Sequence, residues 1–248
     1  MDSKQRKAHD QLGLRGIAKR KARHGKRLGR PPGERRAPAH KTRPEIEARF
    51  PIHVVIRVVG EVAKLRTPKA YRAIRRAMFT LGNRRADFRI VHVSLQNNHV
   101  HLIVEADDRV ALARGMQGFQ ISAAKYLNRE LSRGRLERRR GQVFADRYFA
   151  VQIKTVTGVR NALNYVLNNW RKHGRDQHEV GLYEGRIDPY STGALFTGWK
   201  ERAQPAIVLP ADYDPLPVSA ARSWLVTDGY KRAKQAISVY GMPGAAPS

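Results

Sequence analysis

Apolar positions fall into short blocks whose period changes along the chain. His53-Val54-Val55-Ile56-Arg57-Val58-Val59 is rich in β-branched residues and stops at Gly60, which reads as a buried strand. Thr67-Pro68 supplies an N-cap and a proline at the first helical position. Tyr71, Ile74, Met78 and Leu81 follow at three- and four-residue spacing, which predicts an amphipathic helix ending near Gly82. Phe88–Gln96 and His99–Glu105 read as two more strands, joined through the hairpin-like turn Gln96-Asn97-Asn98. Asp107-Asp108 caps a second helix with the stripe Leu112, Met116, Phe119, Ala123, Leu127 and Leu131, closed by Gly134. A basic loop from Arg133 through Arg140 then leads to a strand predicted over Val143–Ile153. A third helix is predicted over Thr157–His173, with Val159, Leu163, Val166 and Trp170 on one side.

This order, β-α-β-β-α-β and then a helix, defines an α+β class. It predicts a ferredoxin-like antiparallel sheet with two helices on one face. The added C-terminal helix, which carries Tyr165, must pack on the opposite face or along an edge. Residues 1–48 are crowded with lysine and arginine around Pro31-Pro32-Gly33 and have too few apolar positions to offset the entropy of ordering, so they read as a basic, disordered arm. The folded domain is expected over 49–174, followed by a partly packed extension over 175–248. Within that extension Tyr183–Trp199 reads as an extended flap, and the pattern weakens from Pro205.

Apolar residues make up 41% of the 248, enough for a packed core. A formal net charge of +27 with a pI near 11.2 calls for a polyanionic partner. No run approaches the ~18–20 apolar residues of a spanning helix, so a membrane partner is not expected. The absence of cysteine excludes disulfides and thiolate metal sites. The expectation is a cytoplasmic protein that handles nucleic acid.

His99-Val100-His101 places two imidazoles on one face of a strand, about 7 Å apart at their Cα atoms, while Val100, Leu102 and Val104 point the other way into the core. Such a pair is half of a metal site or simply two half-exposed histidines. Tyr165 and Asn169 lie one helical turn apart on one face, either a nucleophile beside a metal-binding amide or an edge tyrosine with a solvated asparagine. His92 reads as a surface histidine. Glu105 reads as a solvated strand end or a water-mediated base. Tyr126, the rival nucleophile, sits between Lys125 and Asn128 on a solvent-facing helix and has no amide four residues on.

Taken in order, these stretches resemble the single-tyrosine HUH transposases of the IS200-like and REP-associated tyrosine type. Asn97-Asn98-His99-Val100-His101-Leu102 looks like their histidine–apolar–histidine motif, and Gly141 through Tyr148 is similar to the stretch after their second helix. Tyr165 through Gly174 resembles their tyrosine-helix signature, and Asp188-Pro189-Tyr190-Ser191-Thr192 with Gly198-Trp199 is similar to the segment beyond it. The resemblance spans about 50–200; Trp170 stands where relatives usually have proline.

The resemblance implies that His99, His101 and Asn169 hold Mg²⁺ or Mn²⁺ and that Tyr165 attacks single-stranded or hairpin DNA to form a covalent 5′-phosphotyrosine. Arg133, Arg135, Arg138, Arg139, Arg140 and Arg147 are the expected DNA contacts, with Lys125, Arg129 and the first-helix residues Arg72, Arg75, Arg76, Arg84 and Arg85 as a wider basic fringe. Phe144, Tyr148 and Trp199 are candidates for stacking on unpaired bases or for the core. Two other readings stand beside this one: a non-catalytic nucleic-acid-binding module on the same fold, and a zinc hydrolase, which needs a third imidazole or carboxylate and has His92 as its candidate. The tyrosine and the histidines can come from one chain or be exchanged within a homodimer.

Overall fold

The computed structural model describes residues 44–82, 85–179, 181–182, 187–201 and 211–244, all within the compact unit 43–248. Most of the basic arm, and Arg84, therefore lie outside the described residues. Residues 44–48, expected to belong to the arm, instead pack on the domain: Ile46 lies against the core, Glu45 pairs with Arg109, and Glu47 pairs with Lys154.

Four strands form one antiparallel sheet in the order β2-β3-β1-β4, from β1 (Ile52–Arg57), β2 (Phe88–Leu95), β3 (His99–Ala106) and β4 (Phe149–Gln152). This is the ferredoxin-like order the sequence predicts. Helices α1 (Pro68–Leu81) and α2 (Arg109–Leu131) cover one face. Thr67 caps α1 by accepting from Ala70 N, and Asp108 caps α2 by accepting from Ala111 N, as their residue types require. Val100, Leu102 and Val104 of β3 are fully buried beneath these helices with Leu112, Met116, Phe119, Ala123 and Leu127. Gly115 lets α2 approach β2 closely, since a Cβ there would stand 2.1 Å from the Phe88 ring.

The opposite face carries α3 (Val156–Lys172), capped by Thr155, which packs on β2 and β3. Val159, Leu163 and Val166 bury against Val91 and Ile103 in a second core. Trp170 is also buried, and the helix runs two residues beyond it. The C-terminal extension completes this second core with Ile187, Phe196, Trp199, Leu225, Tyr230, Ile237 and Val239. Residues 235–244 form a strap along α3: Arg160 donates to Gln235 O and Ala236 O, Asn168 to Ser238 O, and Arg171 to Val239 O, at 3.0, 2.9, 2.9 and 2.8 Å.

Two expectations about local structure need correction. The strand expected over Val143–Ile153 is only four residues long, with an isolated bridge from Phe144 to Val58. Val143 and Tyr148 both enter the same helix-covered core; their odd spacing would put them on opposite faces of a continuous strand, so the strand must break between them. The flap expected over Tyr183–Trp199 is docked rather than extended from Ile187 on, while 183–186 lie outside the described residues. Ser191 bridges Ser94, Leu95 N donates to Tyr190 O, and Thr192–Leu195 is a 3₁₀ turn. This segment covers the edge of β2 and is held by Asp188, which is buried against Arg66.

Two polar residues follow the same correction. His92 is buried rather than on the surface, with Nδ1 3.2 Å from Thr192 Oγ1 and its ring edge-on to Phe196. Burial pushes its pKa down to about 4, against the weaker upward pull of Glu105. The folded state therefore keeps His92 neutral while the unfolded chain takes a proton below about 6.5. Its stabilising contribution is full above that pH and is lost as pH falls toward 4, by up to about 3 kcal/mol. Thermal melts between pH 7 and pH 4 should show a shallower acid loss for His92→Gln than for the wild type; parallel slopes would refute the assignment. Glu105, expected to be solvated, is also buried: it accepts from Arg222 N, Ser223 N and Ser223 Oγ and pairs with Arg89, tying the C-terminal extension to β3.

Candidate active site

The β1–β3 register sets Arg57 opposite His99, Val55 opposite His101 and His53 opposite Ile103, so all of these side chains share the face on which α3 packs. The Nε2 atoms of His99 and His101 converge to 2.9 Å. Adjacent corners of an octahedral cation with bonds of about 2.1 Å lie about 3 Å apart, so the pair has the spacing of two ligands on one ion.

The rear nitrogens are held as well. His99 Nδ1 is 2.7 Å from Asn98 Oδ1, and His101 Nδ1 is 3.2 Å from Nε2 of His53, a fully buried residue that the sequence reading passed over. An amide oxygen only accepts, so His99 carries its proton on Nδ1 and presents a bare Nε2. For neutral imidazoles the rest of the chain then has one consistent polarity: His101 Nε2–H donates to His99, and His53 Nε2–H donates to His101. Holding a cation with both Nε2 atoms requires His101 to shift its proton to Nδ1 and donate to His53 instead.

Burial pushes the pKa of His53 and of His99 to about 4, with His173 and Arg57 adding to the effect at His99. That of His101 lies well below the usual imidazole range, first through burial and then through the neighbouring His99, His53, His173 and Lys172. Neutral imidazoles with available lone pairs are what a metal requires.

Above the pair, Tyr165 sets its ring edge-on to His101 at 5.1 Å between centroids and to His53 at 6.0 Å. It is 8% exposed, and its hydroxyl forms no hydrogen bond among the described residues. Burial raises the phenol above its ordinary pKa. Two turns on, His173 stands 6.3 Å from the His99 ring, and Lys172 places its ammonium 5.1 Å from the Tyr165 ring centroid. Asn169 lies between Tyr165 and His173 on the helix, so it belongs to the stretch of α3 that overlies the histidines. It is fully buried, and neither Oδ1 nor Nδ2 has a partner among the described residues.

An orphaned amide beside two converged imidazoles fits a divalent ion held by His99, His101 and Asn169. Among the described residues no group of three His, Cys, Asp or Glu side chains is arranged to hold a metal. His173 was legible as the next step of the four-residue run Tyr165, Asn169, His173. His53 was hidden in what reads as ordinary strand.

The remaining candidates divide. The loop carrying Arg133, Arg135, Arg138, Arg139 and Arg140 passes the His99 end of the sheet, since Ala145 N donates to Arg57 O and Val59 N to Val143 O. Arg139 is spent inside this loop, bound to Asn128, Glu61 and Gln142 O, and Arg133 pairs with Glu130. Arg135, Arg138, Arg140 and Arg147 are exposed. Of the proposed stacking rings, Trp199 and Tyr148 are buried and Phe144 is partly buried against the core. Tyr126 is half-buried against Thr80, on the side of the sheet away from the histidines. Arg75, Arg76 and Arg85 of the wider fringe engage Asp214, Glu130 and Asp87.

A histidine pair on a ferredoxin-like sheet, overlain by a tyrosine helix, is what the resemblance to single-tyrosine HUH transposases implies. Residues 49–169 match the family model for IS200-like transposases. Among solved structures the chain is similar to a REP-associated tyrosine transposase bound to a REP hairpin, with 15% identity and a TM-score of 0.50, over 75% of this chain and 99% of that one. A bacterial tRNA(His) guanylyltransferase-like protein in complex with GTP also matches, at 12% identity and a TM-score of 0.37, over 54% of this chain and 66% of that one. No curated protein matches this chain. Among the described residues no helix is long and apolar enough to cross a membrane.

Proposed function

We propose that this protein is a transposase that cuts and rejoins single-stranded DNA carrying a hairpin, through Tyr165, with Mg²⁺ or Mn²⁺ held by His99, His101 and Asn169. The observation that carries this reading is the Tyr165 phenol, edge-on to His101 above a histidine pair whose Nε2 atoms stand 2.9 Å apart. The solved relative bound to a REP hairpin supports the choice of DNA. When bound, the ion would polarise the scissile phosphate and draw off its developing charge.

Tyr165 Oη attacks phosphorus in line and gives up its proton as the new P–O bond forms. The bond to the 3′ oxygen breaks, and that oxygen leaves as a hydroxyl after taking a proton. The 5′ phosphate stays esterified to Tyr165. Lys172, beside the ring, favours the negative charge that develops at the phenol and phosphate. Because the ester conserves the phosphodiester bond energy, a different 3′ hydroxyl can reverse the step and join a new strand without a nucleotide cofactor.

The test uses the full chain, Mg²⁺ or Mn²⁺, and a hairpin oligonucleotide with single-stranded flanks, labelled at either end. An adduct that survives denaturation and carries only the 3′-terminal label, and that EDTA abolishes, is the expected result. Cleavage to a free 5′ phosphate without an adduct would indicate a metal-dependent hydrolase. Binding without cleavage would leave a non-catalytic DNA-binding protein.

A further inference from the structure

The face that carries the histidines is covered unevenly. Helix α3 packs mainly on β2 and β3 and reaches His53 of β1 through Tyr165, whereas the Val55–Arg57 end of β1 and Phe149 of β4 extend the same face beyond it. The register runs in one row from His101 to Val55 of β1 and on to Phe149 of β4. Directly opposed residues share a face, so Phe149 points to the side of the imidazoles, about 10 Å from the His101 row across two strand spacings.

Phe149 is 56% exposed, while Val55 and Val151 around it are half-buried. Of the other large exposed apolar residues, Phe79 sits on α1 and Val110 and Ile121 on α2, away from this face. Arg57, exposed on the same face and opposite His99, lies at one end of this floor, whereas Arg147 lines a groove against α2 on the other side of the sheet. An exposed ring near a cationic side chain suits a nucleobase whose phosphates run past arginine.

We propose that the β1–β4 half of this face is a platform for single-stranded DNA, on which Phe149 stacks against a base flanking the phosphate at the histidine pair. The proposal rests on the reading of the protein as a single-strand DNA transposase and adds the residue that seats the flanking strand. Phe149 is a positioning residue: it holds the strand in register and touches none of the reacting atoms.

The test measures binding in EDTA, so that it does not depend on cleavage. The probe is a hairpin oligonucleotide with 2-aminopurine at successive positions of its single-stranded flanks. Wild-type protein should quench the fluorophore at one flank position. Phe149→Ala should remove that quench and weaken binding of the flanked hairpin about 5- to 150-fold, the range for one base–aromatic stack, while Phe149→Trp restores both. The exposed ring leaves no cavity when truncated, so all three proteins should melt alike. Equal binding and quenching by wild type and Phe149→Ala would overturn the platform while leaving the transposase reading intact. A change in self-association with unchanged DNA binding would also overturn it and make Phe149 a contact between copies. If the wild type fails to bind single-stranded DNA at all, the transposase reading itself fails.

Discussion

Tyr165→Phe is expected to abolish the covalent protein–DNA adduct while leaving fold and DNA affinity unchanged. The substitution removes only the hydroxyl. That group forms no hydrogen bond among the described residues, so its loss opens no unsatisfied partner, and the ring keeps its edge-on packing against His101 and His53. The rival nucleophile Tyr126 cannot take over, because it is on the other side of the sheet, bonded to Thr80. Adduct formation on denaturing gels should therefore fall to background, with DNA binding by anisotropy and the melting temperature equal to those of the wild type. A persistent adduct would mean that another side chain is the nucleophile. A lowered melting temperature would mean that the hydroxyl has a structural role.

The largest effect on stability is expected at Arg66. Its guanidinium is buried, donating to Asp188 at 2.8 and 3.0 Å, to Leu95 O at 2.9 Å, and to Glu179. Asp188 is fully buried; burial raises its pKa, and Arg66 pulls it back. Removing the cation strands a carboxylate with no access to water, so Arg66→Ala should lose about 3–5 kcal/mol in urea denaturation. The double variant Arg66→Met with Asp188→Asn should recover part of this, since the charge to be compensated disappears and the amide oxygen can still accept from Tyr190 N, as Asp188 does at 2.9 Å. A loss below about 1 kcal/mol in the single variant would show that water reaches the pair.

The sheet, its order and both caps were legible because they depend on local rules: β-branched runs, Thr67-Pro68, Asp108, and stripes at helical spacing. The histidine pair and the tyrosine–asparagine turn were legible for the same reason, since strand and helix periods fix which side chains share a face. What escaped was set by contacts distant in sequence. His92 and Glu105 look like surface residues until the C-terminal extension folds over them, bringing Thr192 to one and the Arg222–Ser223 amides to the other. His53 became part of the site only through the β1–β3 register. Phe149 shared a short aromatic stretch with Phe144 and Tyr148, and only the break before β4 turns it toward the histidines while Tyr148 turns inward.

The fastening of residues 235–244 to α3, from Arg160 near its start to Arg171 near its end, constrains how the proposed reaction can finish. A DNA end esterified to Tyr165 stays parked above the imidazoles of its own chain, because carrying the helix elsewhere would first require peeling away its C-terminal brace. Resolution of the ester then depends on the second 3′ hydroxyl travelling to a stationary tyrosine. The geometry of the folded DNA, more than movement of the protein, would decide which ends are joined.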